Sequence, residues 1–195
     1  YSPMNYDELF RGPMKIRDAL AQSINLPAVQ AVYLAGIKDS IDFAKDLGIQ
    51  SLGDTSRFGL SLVLGGGEVS LLELVSAYSV FANDGVRNPH NAIQRVYDGN
   101  GETISEYSPS PRRVMPEETS RMISSILSDN IARSPAYGLN STLYIPSRPV
   151  AVKTGTTNDY KDAWIVGYTP NLVIGAWVGN NENISMEKKV AGFIV

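Results

Sequence analysis

The sequence of 195 residues contains no cysteine and a single histidine, His90. Without cysteine the chain can form no disulfide, no thiolate metal site and no thiol nucleophile. One histidine excludes multi-histidine metal sites, and a serine–histidine–aspartate triad would depend on this one loop residue. Any acyl-transfer chemistry here would therefore take lysine or a carboxylate as its base.

A strong charge of one sign and a long membrane-spanning run are also absent. The chain has 17 Lys and Arg against 20 Asp and Glu, a net charge of -3, with no basic block, which argues against nucleic acid as the main partner. The longest uncharged stretch, residues 163–181, contains Thr169-Pro170-Asn171 and several glycines, as a turn between two strands does. Hydrophobic residues make up 43% and charged residues 19%, which is typical of a globular domain.

Helical patterns dominate the first two-thirds of the chain. Apolar spacing and end signals predict helices over residues 14–22, 28–34, 39–47 and 71–81, and another that opens at Pro116. The apolar, glycine-rich stretch 60–67 predicts a buried turn, and residues 132–149 predict a polar loop.

Extended patterns occupy the rest. Residues 93–97 and 102–107 predict a hairpin around a turn rich in Asp, Gly and Asn. Residues 150–156, 163–168 and 172–179 predict three strands. The expected class is therefore α+β, with residues 1–149 a mainly helical region carrying a small hairpin and residues 150–179 a three-strand antiparallel meander.

The sharpest motif is Lys153-Thr154-Gly155, for which chance predicts roughly 0.025 matches in a chain of this composition. It follows a β-branched run, so the lysine is expected on a strand, where it can offer a fixed positive charge to an anionic substrate. The hydroxyls of Thr154, Thr156 and Thr157 can bind a carboxylate. From the triplet alone, an edge-strand lysine followed by turn residues is an equally good interpretation.

Two further patterns are weak by themselves. Ser-x-Asn occurs twice, as Ser23-Ile24-Asn25 and as Ser128-Asp129-Asn130, which is about the number expected by chance. Ser-x-x-Lys occurs once, from Ser185 to Lys188, in a polar segment that predicts a solvated loop rather than the rigid element a nucleophile needs.

Longer strings along the chain resemble one family, the penicillin-binding transpeptidases. The resemblance is greatest to the class A type, which is bifunctional as glycosyltransferase and transpeptidase. The strings ILSDN at 126–130 and RPV at 148–150 suggest its penicillin-binding protein 1C-like branch. The main strings are YSPMNYD at 1–7, RDALAQSINLPAV at 17–29, LGGGEV at 64–69, AYSVFANDG at 77–85, KTGTTNDYKDAW at 153–164 and WVGNN at 177–181.

The resemblance implies a serine β-lactamase/D,D-peptidase-like transpeptidase fold, of which residues 1–195 are expected to be the C-terminal part. It makes Ser23-Ile24-Asn25 the second active-site motif, Lys153-Thr154-Gly155 the third, and Ser128-Asp129-Asn130 a helix end without a catalytic part. The first motif, a Ser-x-x-Lys, is expected upstream of Ser23. The nucleophile is then expected outside this chain, which opens on Tyr1 without a methionine start.

The resemblance also implies a role for each site residue. Ser23 would relay a proton to the leaving group, Asn25 would hold the substrate amide, and Lys153 would hold Ser23 and add positive potential. Thr154 and Thr156 would line a carboxylate pocket, and the Thr156 N–H would form half of an oxyanion hole. The implied substrate-binding residues are Thr154, Gly155, Thr156 and Thr157.

The implied function is peptidoglycan D,D-transpeptidation through a serine acyl-enzyme, with stem peptides and β-lactams as ligands and with no cofactor, metal or nucleic acid. The expected location is the extracytoplasmic face of the bacterial cytoplasmic membrane, with membrane attachment only through an N-terminal anchor outside this chain. Two alternatives stay open: a D,D-carboxypeptidase or β-lactamase of the same fold, and a non-catalytic fragment that binds wall peptides or β-lactams.

The second and third motifs together make a geometric prediction. Ser23 and Lys153 are 130 residues apart, yet Ser23 Oγ and Lys153 Nζ should lie within hydrogen-bond reach, about 2.6–3.2 Å. Asn25 should point into the same cleft. Ser128, Asp129 and Ser185 should not.

Overall fold

The chain forms helices and small strand pairs before it reaches its largest sheet. The structure is a computed structural model that describes residues 2–186. Its helices are α1 (Ile16–Ala21), α2 (Asn25–Ala35), α3 (Ile37–Leu47), α4 (Leu71–Ala82), α5 (Glu117–Leu127) and α6 (Asn130–Tyr137). Its strands are β1 (Val86–Arg87), β2 (Arg95–Tyr97), β3 (Thr103–Glu106), β4 (Arg112–Arg113), β5 (Ala151–Thr156), β6 (Asp162–Thr169) and β7 (Leu172–Gly179).

The largest sheet is an antiparallel meander in the order β5–β6–β7, as the sequence predicts. Lys153 of β5 lies opposite Val166 of β6, and Val166 lies opposite Gly175 of β7, so these three residues share one face. Helix α4 packs on that face: a Cβ built at Gly175 would lie 2.4 Å from Val75 Cγ2. Glycine is needed at this point because the helix approaches the strand closely.

Helix α4 begins with a capping box. The Ser70 hydroxyl accepts from the Glu73 N–H, and the Glu73 carboxylate accepts in return from Ser70. The same carboxylate accepts from the N–H groups of Gln50 and Ser51. Partial burial raises the pKa of Glu73, but the hydrogen bonds from Ser51, Gln50 and Ser70 outweigh it and lower that pKa to about 2. This one carboxylate thus fixes both the helix start and the preceding segment.

Two groups of buried apolar side chains meet at α4. One lies between α3 and α4 and contains Ile41, Leu47, Ala77, Val80 and Met115. The other joins α5 to the sheet through Leu127, Ala151 and Tyr168. The rings of Tyr78 and Phe81 on α4 pack edge-on at 5.6 Å and both contact Tyr168, so α4 connects the helical layer to the sheet.

The predicted hairpin is present as β2 and β3, and both strands are exposed on both faces. The prediction of a buried turn at residues 60–67 is wrong. Leu60–Leu64 forms a 3₁₀ helix with no buried residue, and the chain turns at Gly65. Leu62 of this stretch packs against the core group between α3 and α4, and Leu64, Gly65 and Gly67 line the cleft described below.

The prediction of a polar loop from residue 132 is also wrong, since α6 runs from Asn130 to Tyr137. Asp129 caps this helix by accepting the Ala132 N–H at 2.9 Å. Pro135 lies inside the helix and has no N–H for the Ile131 carbonyl, which accepts instead from the hydroxyl of Ser134 at 2.9 Å. A side chain therefore replaces the missing backbone bond.

Candidate active site

Ser23 occupies the turn between α1 and α2. The Ser23 N–H donates to the Leu20 carbonyl at 3.2 Å, and the Ile24 N–H donates to the Ala19 carbonyl at 2.9 Å. This pair of bonds is a Schellman motif, which requires a left-handed residue at the position of Ser23. Its φ is +59°, a conformation that favours glycine. The turn therefore fixes the backbone from which the Ser23 hydroxyl projects.

Lys153 meets this hydroxyl from the sheet. Lys153 Nζ donates to Ser23 Oγ at 2.6 Å and to the Thr154 carbonyl at 2.6 Å. Burial lowers the pKa of Lys153 to about 8. The contact predicted from the sequence is thus confirmed. Lys153 does lie on an edge strand, β5, but its amine is bound to Ser23 and the Thr154 carbonyl rather than left to solvent.

Asn25 stands beside Ser23 at the start of α2 and lines the same cleft. Its Nδ2 donates to the Met4 carbonyl at 3.0 Å. The neighbouring Asn5 is buried and accepts the Leu26 N–H through Oδ1 at 3.1 Å. The N-terminal segment therefore packs against the second motif and holds the Asn25 side chain at the cleft wall.

The opposite wall is the end of β5, where Thr154, Gly155, Thr156 and Thr157 line the cleft. The Thr157 N–H donates to the Asp162 carbonyl across the turn to β6. Because successive N–H groups of a strand point to opposite sides, the Thr156 N–H points away from β6. The Thr154 hydroxyl lies 2.7 Å from the hydroxyl of Tyr137 on α6.

The cleft has a volume of about 650 Å³ and continues from Lys153 toward β6 and β7. At this end Asp162 accepts from the Thr157 hydroxyl at 2.8 Å and from Trp177 Nε1 at 2.9 Å. Trp164 and Trp177 lie side by side with ring centroids 6.3 Å apart. Asp162 thus ties the end of β5 to the aromatic floor of the cleft.

The turn after Leu64 forms part of the remaining wall. A Cβ built at Gly65, whose φ is +94°, would lie 3.1 Å from Thr157 Cγ2. Glycine lets this turn approach β5 closely. Leu64, Gly67 and Glu68 line the cleft beside it. No role was predicted for Leu64, Gly67, Glu68, Asp162 and Trp177, although they stand in the family-like strings of the sequence. Tyr137 was missed altogether, because its partner Thr154 lies 17 residues further along the chain.

Ser128, Asp129 and Ser185, which were predicted to lie outside the cleft, are not among the described residues that line it. Ser128 ends α5, Asp129 caps α6 and pairs with Arg17 at 3.1 Å, and Ser185 lies in an exposed stretch. Lys188, the other end of the Ser-x-x-Lys match, falls outside the described residues.

Across residues 2–186 no group of three or more metal-ligating side chains comes together. In the same range, no helix combines the length and the apolar character needed to cross a bilayer.

Comparison with known proteins matches residues 1–195 to the family described as "Penicillin binding protein transpeptidase domain". Penicillin-binding protein 1A of Aquifex aeolicus is 36% identical over 194 residues, which is 97% of this chain and 25% of that protein. Penicillin-binding protein 1A/1B of Bacillus subtilis is 30% identical over 96% of this chain and 22% of that protein. The chain thus spans about a quarter of the length of these relatives.

Solved structures agree with this assignment. Penicillin-binding protein 1A from Haemophilus influenzae has a TM-score of 0.81 and 25% identity, covering 98% of this chain and 34% of that one. PonA1 of Mycobacterium tuberculosis, solved in complex with penicillin V, has a TM-score of 0.79 and 26% identity over 93% of this chain and 52% of that one. The expected α+β transpeptidase fold is confirmed. With this fold and relatives named 1A, the chain belongs to the penicillin-binding protein transpeptidase domain family, in its class A group.

Proposed function

We propose that this chain is the part of a peptidoglycan D,D-transpeptidase that carries its second and third active-site motifs. The observation that carries the proposal is the hydrogen bond from Lys153 Nζ to Ser23 Oγ at 2.6 Å, inside a cleft lined by the threonines of β5. Family membership supports it, since the fold and nearly the whole chain match penicillin-binding proteins.

The reaction would proceed in two steps. A serine supplied from outside this chain attacks the carbonyl carbon between the two D-alanines of a stem peptide. The bond to its Oγ forms while its hydroxyl proton passes to a base outside this chain, the amide C–N bond breaks, and D-alanine leaves once its nitrogen has gained a proton. An amine of a second stem peptide then attacks the ester carbon, forms the cross-link and releases the serine.

The Lys153–Ser23 contact suggests how the leaving nitrogen receives its proton. A lysine ammonium has three donors and no acceptor, so Ser23 Oγ must accept in this contact. The proton of Ser23 is then free to point into the cleft. In this role Ser23 would relay a proton to the departing nitrogen, giving up its own and taking up the one that the base removed from the attacking serine, while the charge of Lys153 would keep the hydroxyl in place. Asn25, on the same wall, would hold the substrate amide.

The end of β5 would bind the charged end of the substrate. Lys153 provides a positive charge there, and Thr154 and Thr156 would provide hydroxyl donors for the terminal carboxylate, with Gly155 and Thr157 completing the wall. The N–H of Thr156 points away from β6 and would supply one half of the oxyanion hole, with the N–H of the attacking serine as the other half.

The same proposal covers the wider setting. β-Lactams would bind as mimics of the donor peptide, as the penicillin V complex of PonA1 supports. The parent protein would carry a glycosyltransferase domain and act on the outer face of the bacterial cytoplasmic membrane, held by an anchor outside this chain. The 1C-like branch stays a prediction, because the relatives described above are named 1A and 1A/1B.

The test is acylation by a fluorescent penicillin. The full-length protein that carries this chain should be labelled, and the 195 residues alone should not, because their single Ser-x-x-Lys lies at Ser185. Replacing Lys153 by methionine should slow labelling about 10²-fold or more, the effect of losing one electrostatic partner of the transition state. The matched control is Lys15→Met, which changes an exposed lysine before α1.

Two results would contradict this proposal. One is a penicilloyl adduct on a serine of the 195 residues, detected by mass spectrometry. The other is normal labelling of the Lys153→Met variant. Product analysis with an added amine acceptor separates transpeptidation from the carboxypeptidase and β-lactamase alternatives, because those two transfer the acyl group to water.

A further inference from the structure

Helix α6 lies along the edge of β5 that faces away from β6. Arg133 and Tyr137, one helical turn apart, reach alternate residues of the strand. Arg133 Nη1 lies 3.5 Å from the Val152 carbonyl, and the Tyr137 hydroxyl lies 2.7 Å from Thr154 Oγ1. Four helical residues rise about 6 Å and two strand residues about 6.7 Å, so the two spacings match.

The arginine holds this helix against the strand. Arg133 is only 4% exposed, and its Nη1 also donates to the Leu127 carbonyl at 3.3 Å. A buried guanidinium needs such acceptors, so Arg133 has little freedom to move away from β5. The helix end that carries Tyr137 is further held by Asn130, whose Nδ2 donates to the Leu139 carbonyl at 2.8 Å. Tyr137 is therefore placed firmly beside Thr154.

The direction of the Tyr137–Thr154 bond decides what Thr154 can do. A threonine hydroxyl carries one proton, and an ionised carboxylate can only accept. Thr154 can donate to a substrate carboxylate only if it does not donate to Tyr137. In that case the Tyr137 hydroxyl must be the donor to Thr154 Oγ1. The Thr154 carbonyl accepts a hydrogen bond from Lys153 Nζ, which fixes the backbone of Thr154.

We propose that Tyr137 is a positioning residue: it donates its hydroxyl proton to Thr154 Oγ1 and so leaves the Thr154 hydroxyl to donate to the terminal carboxylate of the donor peptide. This inference rests on the proposed function. It extends the site to α6, a helix that does not line the cleft. Chains of hydrogen bonds in one direction polarise one another, which strengthens the bond to the substrate.

The experiment compares two ligands in the full-length protein that carries this chain, a penicillin with its free carboxylate and the methyl ester of the same penicillin. Tyr137→Phe should lower the second-order rate constant of acylation by the acid about three- to tenfold, the value of one hydrogen bond, and leave that of the ester unchanged. The loss should appear in the affinity of the initial complex rather than in the acylation step. Thr154→Val should reduce the preference for the acid, leaving the part due to Lys153 and Thr156, and adding Tyr137→Phe should have no further effect.

The matched control is Tyr107→Phe, which removes a tyrosine hydroxyl that donates to the Pro89 carbonyl at 3.1 Å outside the cleft. Its acylation by both ligands should equal that of the wild type. If Tyr137→Phe slows acid and ester equally, or slows neither, the inference is wrong and the proposed function stands. If the wild type is acylated by neither ligand, the proposed function itself is wrong and the inference falls with it.

Discussion

The lowered pKa of Lys153 predicts how the reaction depends on pH. Its pKa is about 8 because the amine is buried between Ser23 and β5. With that value the lysine is about 90% charged at pH 7 and about 10% charged at pH 9. The rate constant for acylation of the full-length protein by a penicillin should therefore fall about tenfold over this interval, since both the hydrogen bond to Ser23 and the attraction for the carboxylate need the charge.

The assay is stopped-flow acylation from pH 6 to 10, and Lys153→Arg is its control. Arginine stays charged throughout this range, so the variant should be slower at pH 7 but should lose the alkaline decline. A wild-type rate that stays flat to pH 10 would refute the reasoning. So would a decline in Lys153→Arg with the wild-type midpoint, because another group would then be titrating.

The lowered pKa of Lys153 also predicts how the free energy of unfolding changes with pH. In the folded protein Lys153 loses its proton near pH 8, whereas in the unfolded chain it keeps it up to about 10.5. The unfolded state binds more protons between these values, so the free energy of unfolding should rise with pH across this window. The shift corresponds to at most about 3 kcal/mol, and access of solvent through the cleft reduces this to about 1 kcal/mol. Denaturant unfolding at pH 8 and pH 10 measures the rise, and Lys153→Met should abolish it.

Three further predictions concern single side chains. Ser23→Ala should slow penicillin acylation of the full-length protein about 10²-fold without lowering the melting temperature, and unchanged kinetics would exclude Ser23 from proton transfer. Glu73→Gln should lower the free energy of unfolding by about 1–2 kcal/mol at pH 7. In urea titrations this loss should shrink as the pH falls from about 4.5 toward 2, because the wild-type carboxylate then becomes protonated. A loss that does not change with pH would contradict the capping role. Gly175→Val should cost about 1–3 kcal/mol or more, because its side chain would overlap Val75, and an unaltered denaturation midpoint would show that α4 can move.

The sequence predicted the elements whose patterns are local. Helix α4 has a regular apolar face and a capping box, and the three strands of the meander are bounded by turn residues, so their positions agree with the structure within one or two residues. Helix α6 was missed although polar side chains support it: Asp129 caps it, the Ser134 hydroxyl replaces the bond that Pro135 removes, and buried Arg133 holds it against β5. The internal Pro135 argues against a helix in sequence, because proline normally breaks one.

The site divides in the same way. Ser23, Asn25 and Lys153 belong to short motifs, and the family resemblance of the sequence predicts that these motifs form one site. Tyr137 contacts the Thr154 hydroxyl, and Asp162 contacts the Thr157 hydroxyl and Trp177 Nε1, and no sequence pattern around either residue indicates these contacts. The stretch 60–67 was predicted as buried because its apolar residues look alike in sequence, whereas Leu62 is only partly buried against the core and Leu64 lines an open cleft.

The left-handed backbone of Ser23 has a cost in stability that glycine would avoid. A non-glycine residue in this conformation costs about 1 kcal/mol or more, and glycine would occupy it without that strain. Selection for stability alone would therefore favour losing the side chain at this position. If Ser23 has the proposed role, its hydroxyl is held at a cost in stability, which is how a trade-off between activity and stability appears at a single residue.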